Sequence, residues 1–215
     1  MSNERNTIYF IGDSITEGYG ASSPEKTYVS LYAKKHIDSK VVNLGIGGTR
    51  ISRQKNPSEV IQFDQDFNQR IQQINETPDT IVVFGGTNDF GHGDAPLGSF
   101  GDNTVWTFYG ALHCLIQSLK EKFPSSRLIV CTPLHRSNEE TENMHGKKLV
   151  DYILAIRETT KALSVELLDL YDTSGIKGNV EEGGYNYLAD GLHPNDDGHY
   201  VLFKLMDTFI NKVNK

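Results

Sequence analysis

The sequence has few cysteines, no long hydrophobic run and no excess of positive charge, and each absence excludes a class of protein. The 215 residues include 2 cysteines, Cys114 and Cys131, which lack the spacing of a zinc site or a disulfide scaffold. We expect both to be buried small side chains. No apolar run approaches the ~20 residues that a membrane span needs. The formal net charge is −7, which gives no general attraction to nucleic acid or anionic lipid.

What remains is the composition of an ordinary folded domain. Hydrophobic residues make up 37% of the chain and charged residues 23%, unlike a disordered sequence. The length suits one α/β domain, which we assign to residues 1–215. No signal-peptide pattern precedes the first apolar run, so we expect a cytoplasmic protein without stable membrane association. No sequence feature marks an interface, and the oligomeric state is left open.

Short apolar segments alternate along the chain with segments of helical periodicity. The apolar segments are mostly rich in β-branched residues and are followed by Gly, Pro or Asp, as buried strands are. They cover residues 8–11, 41–44, 81–84, 128–131 and 165–168. Helical spacing of apolar residues occurs over 28–35, 58–75, 105–119, 149–163 and 200–213. This alternation predicts a three-layer α/β/α fold in which helices cover both faces of a parallel sheet.

Polar and glycine residues follow several of the predicted strands. Ligands bind outside the carboxyl ends of parallel strands, so residues at these positions are candidate site residues. Ser14 follows the first strand, the glycine-rich turn 45–50 follows the second, and Asn88 follows the third. Asp190 and His193 come just before the last predicted helix. The topology therefore gathers a serine, glycines, an amide and an Asp/His pair at one edge of the sheet.

These residue types are the ones that nucleophilic acyl transfer requires. A serine hydroxyl such as that of Ser14 is a weak nucleophile and needs a base to take its proton. Histidine is the usual base near neutral pH, and a carboxylate holds its tautomer and orientation. Asp190 lies close enough in sequence to His193 for one tight turn to present both. Backbone N–H groups of the glycine turn and the Asn88 amide are candidate donors to an oxyanion.

Four motifs make the sequence resemble the SGNH hydrolase superfamily, also called GDSL esterases. They are Gly12-Asp13-Ser14-Ile15, Asn43-Leu44-Gly45-Ile46-Gly47-Gly48, Gly86-Thr87-Asn88-Asp89 and Asp190-Gly191-Leu192-His193-Pro194. The resemblance implies that Ser14 is the nucleophile and that His193, oriented by Asp190, is the base. No G-x-S-x-G motif of the α/β-hydrolases occurs in the chain.

The same resemblance implies an oxyanion hole, a fold and a reaction. The oxyanion hole would be formed by Ser14, Gly48 and Asn88. Gly47 is the alternative register for the glycine. The implied fold is a flavodoxin-like α/β/α sandwich with five parallel strands in the order 2-1-3-4-5. The implied reaction is the hydrolysis of a small-molecule carboxylic ester through a covalent acyl-enzyme, without a metal or other cofactor.

The substrate is less defined than the reaction. The sequence shows no long apolar groove or amphipathic membrane helix, which favours short-acyl and especially acetyl esters, including those of carbohydrates. A lysophospholipase or thioesterase is the alternative within the same reaction class. A flavodoxin-like module that holds a phosphate or nucleotide on its glycine turns, without hydrolysis, is the alternative from another class.

Several residues near the predicted site are candidates for substrate contact. They are Asp13, Asp89, Phe90, His92, Leu97 and His135. The loop 90–101 is expected either to contact substrate or to pack on itself as an Ω-loop. His92, Asp94 and His135 lack the spacing of metal ligands, so no metal site is expected. For Arg50 we expect a surface ion pair, with contact to an anionic substrate group as the alternative.

Overall fold

The sheet of the computed structural model, which describes residues 6–179 and 184–212, is parallel and five-stranded. The ends of the domain assigned to 1–215 therefore lie outside the described residues. The strands are β1 (Thr7–Gly12), β2 (Lys40–Gly45), β3 (Thr80–Phe84), β4 (Arg127–Cys131) and β5 (Glu166–Leu168). Their order is β2-β1-β3-β4-β5. The predicted fold class, strand positions and strand order are confirmed.

Four long helices and four short ones surround this sheet in the described part of the chain. They are α1 (Ser14–Glu17), α2 (Tyr28–Lys35), α3 (Phe67–Arg70), α4 (Thr87–His92), α5 (Phe108–Lys122), α6 (Leu149–Ala162), α7 (Leu170–Thr173) and α8 (Asp196–Ile210). Side chains of Thr27, Thr107 and Asn195 cap α2, α5 and α8 by accepting backbone N–H groups of the first turn. Four predicted helices are confirmed; Val213, included in the last one, lies outside the described residues.

The core has two halves, one on each face of the sheet. Alternate residues of a strand point to opposite faces, so Ile8 and Phe10 pack with the core residues of α2 and α8. Tyr9 and Ile11 pack on the other face with those of α5 and α6. Cys131 is fully buried, as predicted for both cysteines. The other, Cys114, is only partly buried, and both thiols are free.

The segment predicted as one helical face over 58–75 is broken into short turns. It forms 3₁₀ helices at Ile61–Asp64 and Ile71–Gln73 on either side of α3. The Asp64 side chain accepts the Ser58 backbone N–H, and that of Asp66 accepts the Gln69 N–H. Such local bonds compete with a continuous helix, which is why the prediction of a single helix was wrong.

Among the helices of residues 6–179 and 184–212, none has the length and apolar character needed to cross a bilayer.

Candidate active site

Ser14 lies where β1 ends and α1 begins. The side chain of Asp13 caps this helix by accepting the backbone N–H of Ile15 at 3.0 Å. A Cβ on Gly12 would overlap the side chain of Thr16, so only glycine fits at the end of the strand. The hydroxyl Oγ of Ser14 lies 2.9 Å from Nε2 of His193. The turn thus places a nearly buried serine hydroxyl directly against an imidazole.

Asp190 and His193 are held together by a tight turn before α8. Gly191 has a φ of 82°, which lies in the left-handed region that glycine adopts readily. One carboxylate oxygen of Asp190 accepts the backbone N–H groups of Leu192 and His193 at 3.0 and 2.8 Å. The other lies 2.7 Å from Nδ1 of His193. Because the carboxylate accepts the Nδ1 proton, Nε2 of the neutral imidazole is left to accept from Ser14.

The carboxyl group of Asp190 is kept ionised by these bonds. Partial burial opposes its ionisation, but the hydrogen bonds from the His193 side chain and from the backbone of the turn lower its pKa below the ordinary value. An ionised carboxylate at Nδ1 stabilises the imidazolium that forms when Nε2 takes a proton.

The glycine turn after β2 and Asn88 in α4 face the same space as Ser14. The backbone N–H of Gly47 donates to the Glu17 carboxylate at 2.5 Å. Gly48 has a φ of 74°, and its N–H has no hydrogen-bond acceptor among the described residues. The Asn88 side-chain amide donates one hydrogen to the carbonyl of Thr49 at 3.0 Å, leaving its second hydrogen available.

A cavity of ≈ 300 Å³ brings these groups together. Ser14, Gly48, Asn88 and His193 all line it, and Asp190 lies behind His193. This volume is at the lower end of the usual range for small-molecule sites. A larger cavity of ≈ 620 Å³ lies against the edge strand β2, but no residue predicted for catalysis or oxyanion binding lines it. The chemistry that the side chains can perform therefore points to the smaller cavity, which we term the catalytic cavity.

Two of the candidates for substrate contact, Asp13 and Asp89, are buried carboxyl groups outside this lining. Burial, with a smaller contribution from the neighbouring Asp89 charge, raises the pKa of Asp13 to about 7. Burial also raises the pKa of Asp89, although the Asp89 carboxyl accepts the backbone N–H groups of Ile51 and Ser52. In the structure both carboxyl groups accept backbone N–H groups of turns around the site, and neither lines the cavity.

The other candidates for substrate contact separate into three kinds of position. Phe90 and Leu97 are buried in the core on the α5 and α6 face. His135 pairs with Glu139 at 2.8 Å and stacks on Tyr171, away from the catalytic cavity. Of the six candidates, His92 alone lines that cavity.

The loop that begins at residue 90 is tied down by hydrogen bonds from neighbouring segments. Carbonyls of Pro96 and Leu97 each accept a backbone N–H from the start of α5 at 3.0 Å. The Asp94 carboxylate accepts the backbone N–H groups of Lys55 and Asn56 at 2.9 and 2.8 Å. These contacts hold the loop against neighbouring segments of the domain, and apart from His92 its residues do not line the cavity.

Arg50 forms the expected ion pair, with Asp64, but the arginine is buried and not on the surface. It is 4% exposed, and its guanidinium donates to Nδ1 of His92 at 2.7 Å and to the hydroxyl of Ser58 at 3.1 Å, with a carboxylate oxygen of Asp64 at 3.6 Å. Residues 58–64 cover this side chain, which sequence spacing does not reveal. In residues 6–179 and 184–212, no three His, Cys, Asp or Glu side chains are grouped as metal ligands.

The cavity is also lined by side chains for which we predicted no site role. They are Tyr19, Gln62, Phe63 and Leu192. Leu192 lies inside the Asp-x-x-His motif, and Tyr19 follows the serine motif closely, so proximity in sequence was a usable signal for these two. Phe63 belongs to the segment 58–75, which we predicted as one helical face; in the structure it lies in a 3₁₀ helix and lines the cavity. Buried His199 donates from Nε2 to the Tyr19 carbonyl at 3.1 Å and so holds that residue beside His193.

Replacing Asp13 with Asn is expected to remove a pH-dependent loss of stability. The Asp13 pKa rises from 3.8 to about 7 on folding. At pH values between these two, the folded chain therefore retains a proton that the unfolded chain has lost. The free energy of unfolding therefore falls as pH rises through this window. Because Asn keeps the cap acceptor, Asp13→Asn should be more stable than wild type at about pH 8, by on the order of 1–3 kcal/mol, and nearly equal at about pH 4.

Urea denaturation at several pH values between these limits measures this difference. Asp38→Asn, at an exposed carboxylate, is the matched control and should follow wild type throughout. A variant at Asp13 whose stability tracks wild type at every pH would show that the carboxyl is not destabilised by burial.

We compared the chain with known protein families and solved structures. The sequence profile of the GDSL-like Lipase/Acylhydrolase family matches residues 10–201. A crystal structure of a protein from Lactobacillus plantarum is 31% identical, with a TM-score of 0.82 and 97% of each chain covered. No curated protein matches the chain.

Two further crystal structures share the fold at lower sequence identity. A possible lipase from Chitinophaga pinensis DSM 2588 is 20% identical, with a TM-score of 0.71; the match covers 95% of this chain and 97% of that one. The acetyl xylan esterase AlAXEase is 21% identical, with a TM-score of 0.69, covering 95% of this chain and 99% of that one. At these identities the likeness shows the fold alone.

Proposed function

The chain belongs to the GDSL-like Lipase/Acylhydrolase family, and on that premise we propose that it is a serine esterase acting on short-acyl esters. The proposal favours acetyl esters, including those of carbohydrates. The observation that carries it is a continuous hydrogen-bonded series from the Ser14 hydroxyl through His193 to the Asp190 carboxylate. This series opens onto a cavity of ≈ 300 Å³, a volume suited to a small acyl group.

Acylation begins with attack of Ser14 Oγ on the ester carbonyl carbon. His193 Nε2 accepts the hydroxyl proton as the new C–O bond forms, and the carbonyl electron pair moves onto oxygen. Asp190 stabilises the resulting imidazolium through Nδ1. When the tetrahedral adduct collapses, the bond to the alcohol breaks and His193 returns the proton to the departing alkoxide. An acyl-enzyme on Ser14 remains.

The oxyanion of the adduct is held by the backbone N–H groups of Ser14 and Gly48 and by the Asn88 amide. The choice of Gly48 over Gly47 is supported by hydrogen bonding, because the Gly47 N–H already donates to Glu17 whereas Gly48 lines the cavity with a free N–H in the described structure. Donors fixed before the reaction stabilise the developing charge at little cost in reorganisation.

Deacylation repeats these steps with water in place of the serine hydroxyl. His193 removes a proton from water as it attacks the acyl carbon, and the same three donors hold the second oxyanion. Collapse breaks the bond to Ser14 Oγ, which recovers the proton from the imidazolium, and releases the carboxylic acid. Apart from the water that is consumed, each step uses only the side chains and backbone of this site.

The size of the cavity supports a short acyl group. A long acyl chain would need an apolar channel, but the catalytic cavity also contains the polar side chains of Gln62 and His92. An acetyl xylan esterase shares the fold, which is compatible with an acetylated carbohydrate as substrate. The size and lining of the cavity favour acetyl esters over the longer acyl groups of lysophospholipids and thioesters.

A hydrolysis assay over para-nitrophenyl esters of increasing acyl length tests this proposal. We expect kcat/KM to be highest for the acetate and to fall by about tenfold or more for the longest acyl groups, because each methylene without a matching pocket is disfavoured. Acetylated xylan, assayed by acetate release, extends the test to a carbohydrate alcohol. Highest activity on long acyl groups would support the lysophospholipase or thioesterase alternative, and no hydrolysis of any ester would contradict the proposed function.

A further inference from the structure

Two aromatic side chains separate the catalytic cavity from a neighbouring one. Phe63 and His92 line both the catalytic cavity and a second cavity of ≈ 380 Å³ that also contains Arg50 and Asp94. The two rings lie 5.4 Å apart between centroids and are tilted by 39°. We term this pair the Phe63–His92 wall. It limits the space available beside the reacting groups.

The wall is held in place by hydrogen bonds from a buried cation. Arg50 donates to Nδ1 of His92 at 2.7 Å and to the carbonyl oxygen of Phe63 at 3.4 Å. Burial, together with repulsion from Arg50, lowers the pKa of His92 to about 4, so the imidazole is neutral and accepts at Nδ1. Both members of the wall are thus attached to the same guanidinium.

The Phe63 ring also packs against the glycine that faces the oxyanion. A Cβ added to Gly48 would overlap the ring of Phe63, so the two are in close contact. The ring therefore lies beside the predicted oxyanion donor. A Cβ on the preceding residue, Gly47, would instead lie 3.5 Å from the Tyr19 ring. The Tyr19 ring centroid is 5.6 Å from that of His193.

These positions distinguish the two sides of an ester bound in the cavity. The reacting carbon of the tetrahedral adduct carries the Ser14 oxygen, the oxyanion, the leaving oxygen and the acyl group. The leaving oxygen must face His193, which protonates it, and that is the side on which Tyr19 lies. The oxyanion faces its donors. The remaining substituent is the acyl group, and the Phe63 ring of the wall adjoins Gly48, one of those donors.

Resting on the proposed function, we propose that the acyl group faces the wall, that Phe63 sets the upper limit on acyl length, and that the alcohol lies beside His193 and Tyr19. The second cavity behind the wall is space that a longer acyl group would reach if the ring were absent. Removing the ring should therefore extend the acyl side and leave the alcohol side unchanged.

The test compares Phe63→Ala with wild type on para-nitrophenyl acetate and hexanoate. The ratio of kcat/KM for hexanoate to that for acetate should rise by about tenfold or more, since fit of each methylene is worth roughly this much in a pocket. Phe63→Leu keeps more of the packing and should raise the ratio less. If the Tm of Phe63→Ala is far below that of wild type, Phe63→Leu is the folded variant on which the ratio is measured.

Two control variants make the result specific. Ile61 lies in the same 3₁₀ helix, is 83% exposed and lines neither cavity, so Ile61→Ala should leave the ratio unchanged. Tyr19→Ala should leave the acyl ratio unchanged but alter the preference between para-nitrophenyl acetate and acetylated xylan.

The possible outcomes either support or overturn the assignment. An unchanged acyl ratio in both Phe63 variants, with thermal unfolding close to that of wild type, overturns it. A change in the acyl ratio with Tyr19→Ala and none with Phe63→Leu also overturns the assignment, because the acyl group would then lie beside Tyr19 and not beside the Phe63–His92 wall. Wild type without any ester hydrolysis would instead show that the proposed function is wrong, and the assignment would fall with it.

Discussion

Ser14→Ala is expected to lower kcat for ester hydrolysis by roughly 10⁴–10⁶-fold while leaving the fold intact. Without the hydroxyl no acyl-enzyme forms, and the remaining groups stabilise only attack by water. The helix at this position should persist because its cap is the Asp13 side chain and not Ser14. The measurement is steady-state turnover of para-nitrophenyl acetate together with thermal unfolding.

A matched control separates the loss of the nucleophile from the loss of a buried hydroxyl. Ser174 is 8% exposed, close to the 6% of Ser14, but it does not line the catalytic cavity. Ser174→Ala should retain turnover within a few-fold of wild type. Undiminished activity in a homogeneous Ser14→Ala preparation would mean that another group is the nucleophile.

Asn88→Ala is expected to lower kcat by roughly 10²–10³-fold, the usual loss for one oxyanion donor. The effect should lie in kcat more than in KM, because the donor binds the charge that develops in the transition state more strongly than the neutral carbonyl. The variant also loses the hydrogen bond to the Thr49 carbonyl, so thermal unfolding must be measured beside kcat and KM.

Asn68 provides the control for the loss of a buried side-chain hydrogen bond to a backbone carbonyl. Its amide is also buried and bonds two backbone carbonyls, those of Ile51 and Ala111, but it lies outside the catalytic cavity. Asn68→Ala should lower stability and leave kcat of the folded protein near wild type. If Asn88→Ala changed KM alone, or changed kcat no more than Asn68→Ala does, Asn88 would not be an oxyanion donor.

The sheet could be predicted from the sequence because burial on both faces leaves a direct pattern. Short β-branched runs such as those in β1 and β3 have no plausible position other than the interior of a covered sheet. The long helices α5, α6 and α8 likewise show complete apolar stripes. The segment 58–75 has comparable spacing, but side-chain bonds from Asp64 and Asp66 to the backbone break its helix.

The residues of the proposed triad could be placed together because a parallel sheet brings the ends of its strands to one edge. The structure sets Ser14 and His193 within 2.9 Å although they are far apart in sequence, and Asp190 at 2.7 Å from the same imidazole. Their roles in catalysis stay predictions until the variants are measured. Local turns position these side chains, and each turn is marked in the sequence by a glycine, one directly after Asp190 and one directly before Asp13.

The full set of residues that wall the cavity could not be predicted, because part of it is formed by segments that meet through tertiary packing. Phe63 reaches the site through the broken helix, and Tyr19 is held there by a hydrogen bond from His199 in α8. Phe90 and Leu97 follow Asn88 closely in sequence, but their side chains pack in the core. Sequence spacing indicates which residues are near the reacting groups, but it does not show which way their side chains face.

The most direct test of the account is the site of covalent labelling by an organophosphate ester such as diethyl para-nitrophenyl phosphate. A nucleophilic serine activated by His193 should take up a single diethylphosphoryl group, located by peptide mass spectrometry on Ser14, with loss of esterase activity in proportion. Ser14→Ala should take up none under the same conditions. Labelling at another residue that abolishes activity, with Ser14 unmodified, would contradict the assignment of Ser14 as the nucleophile.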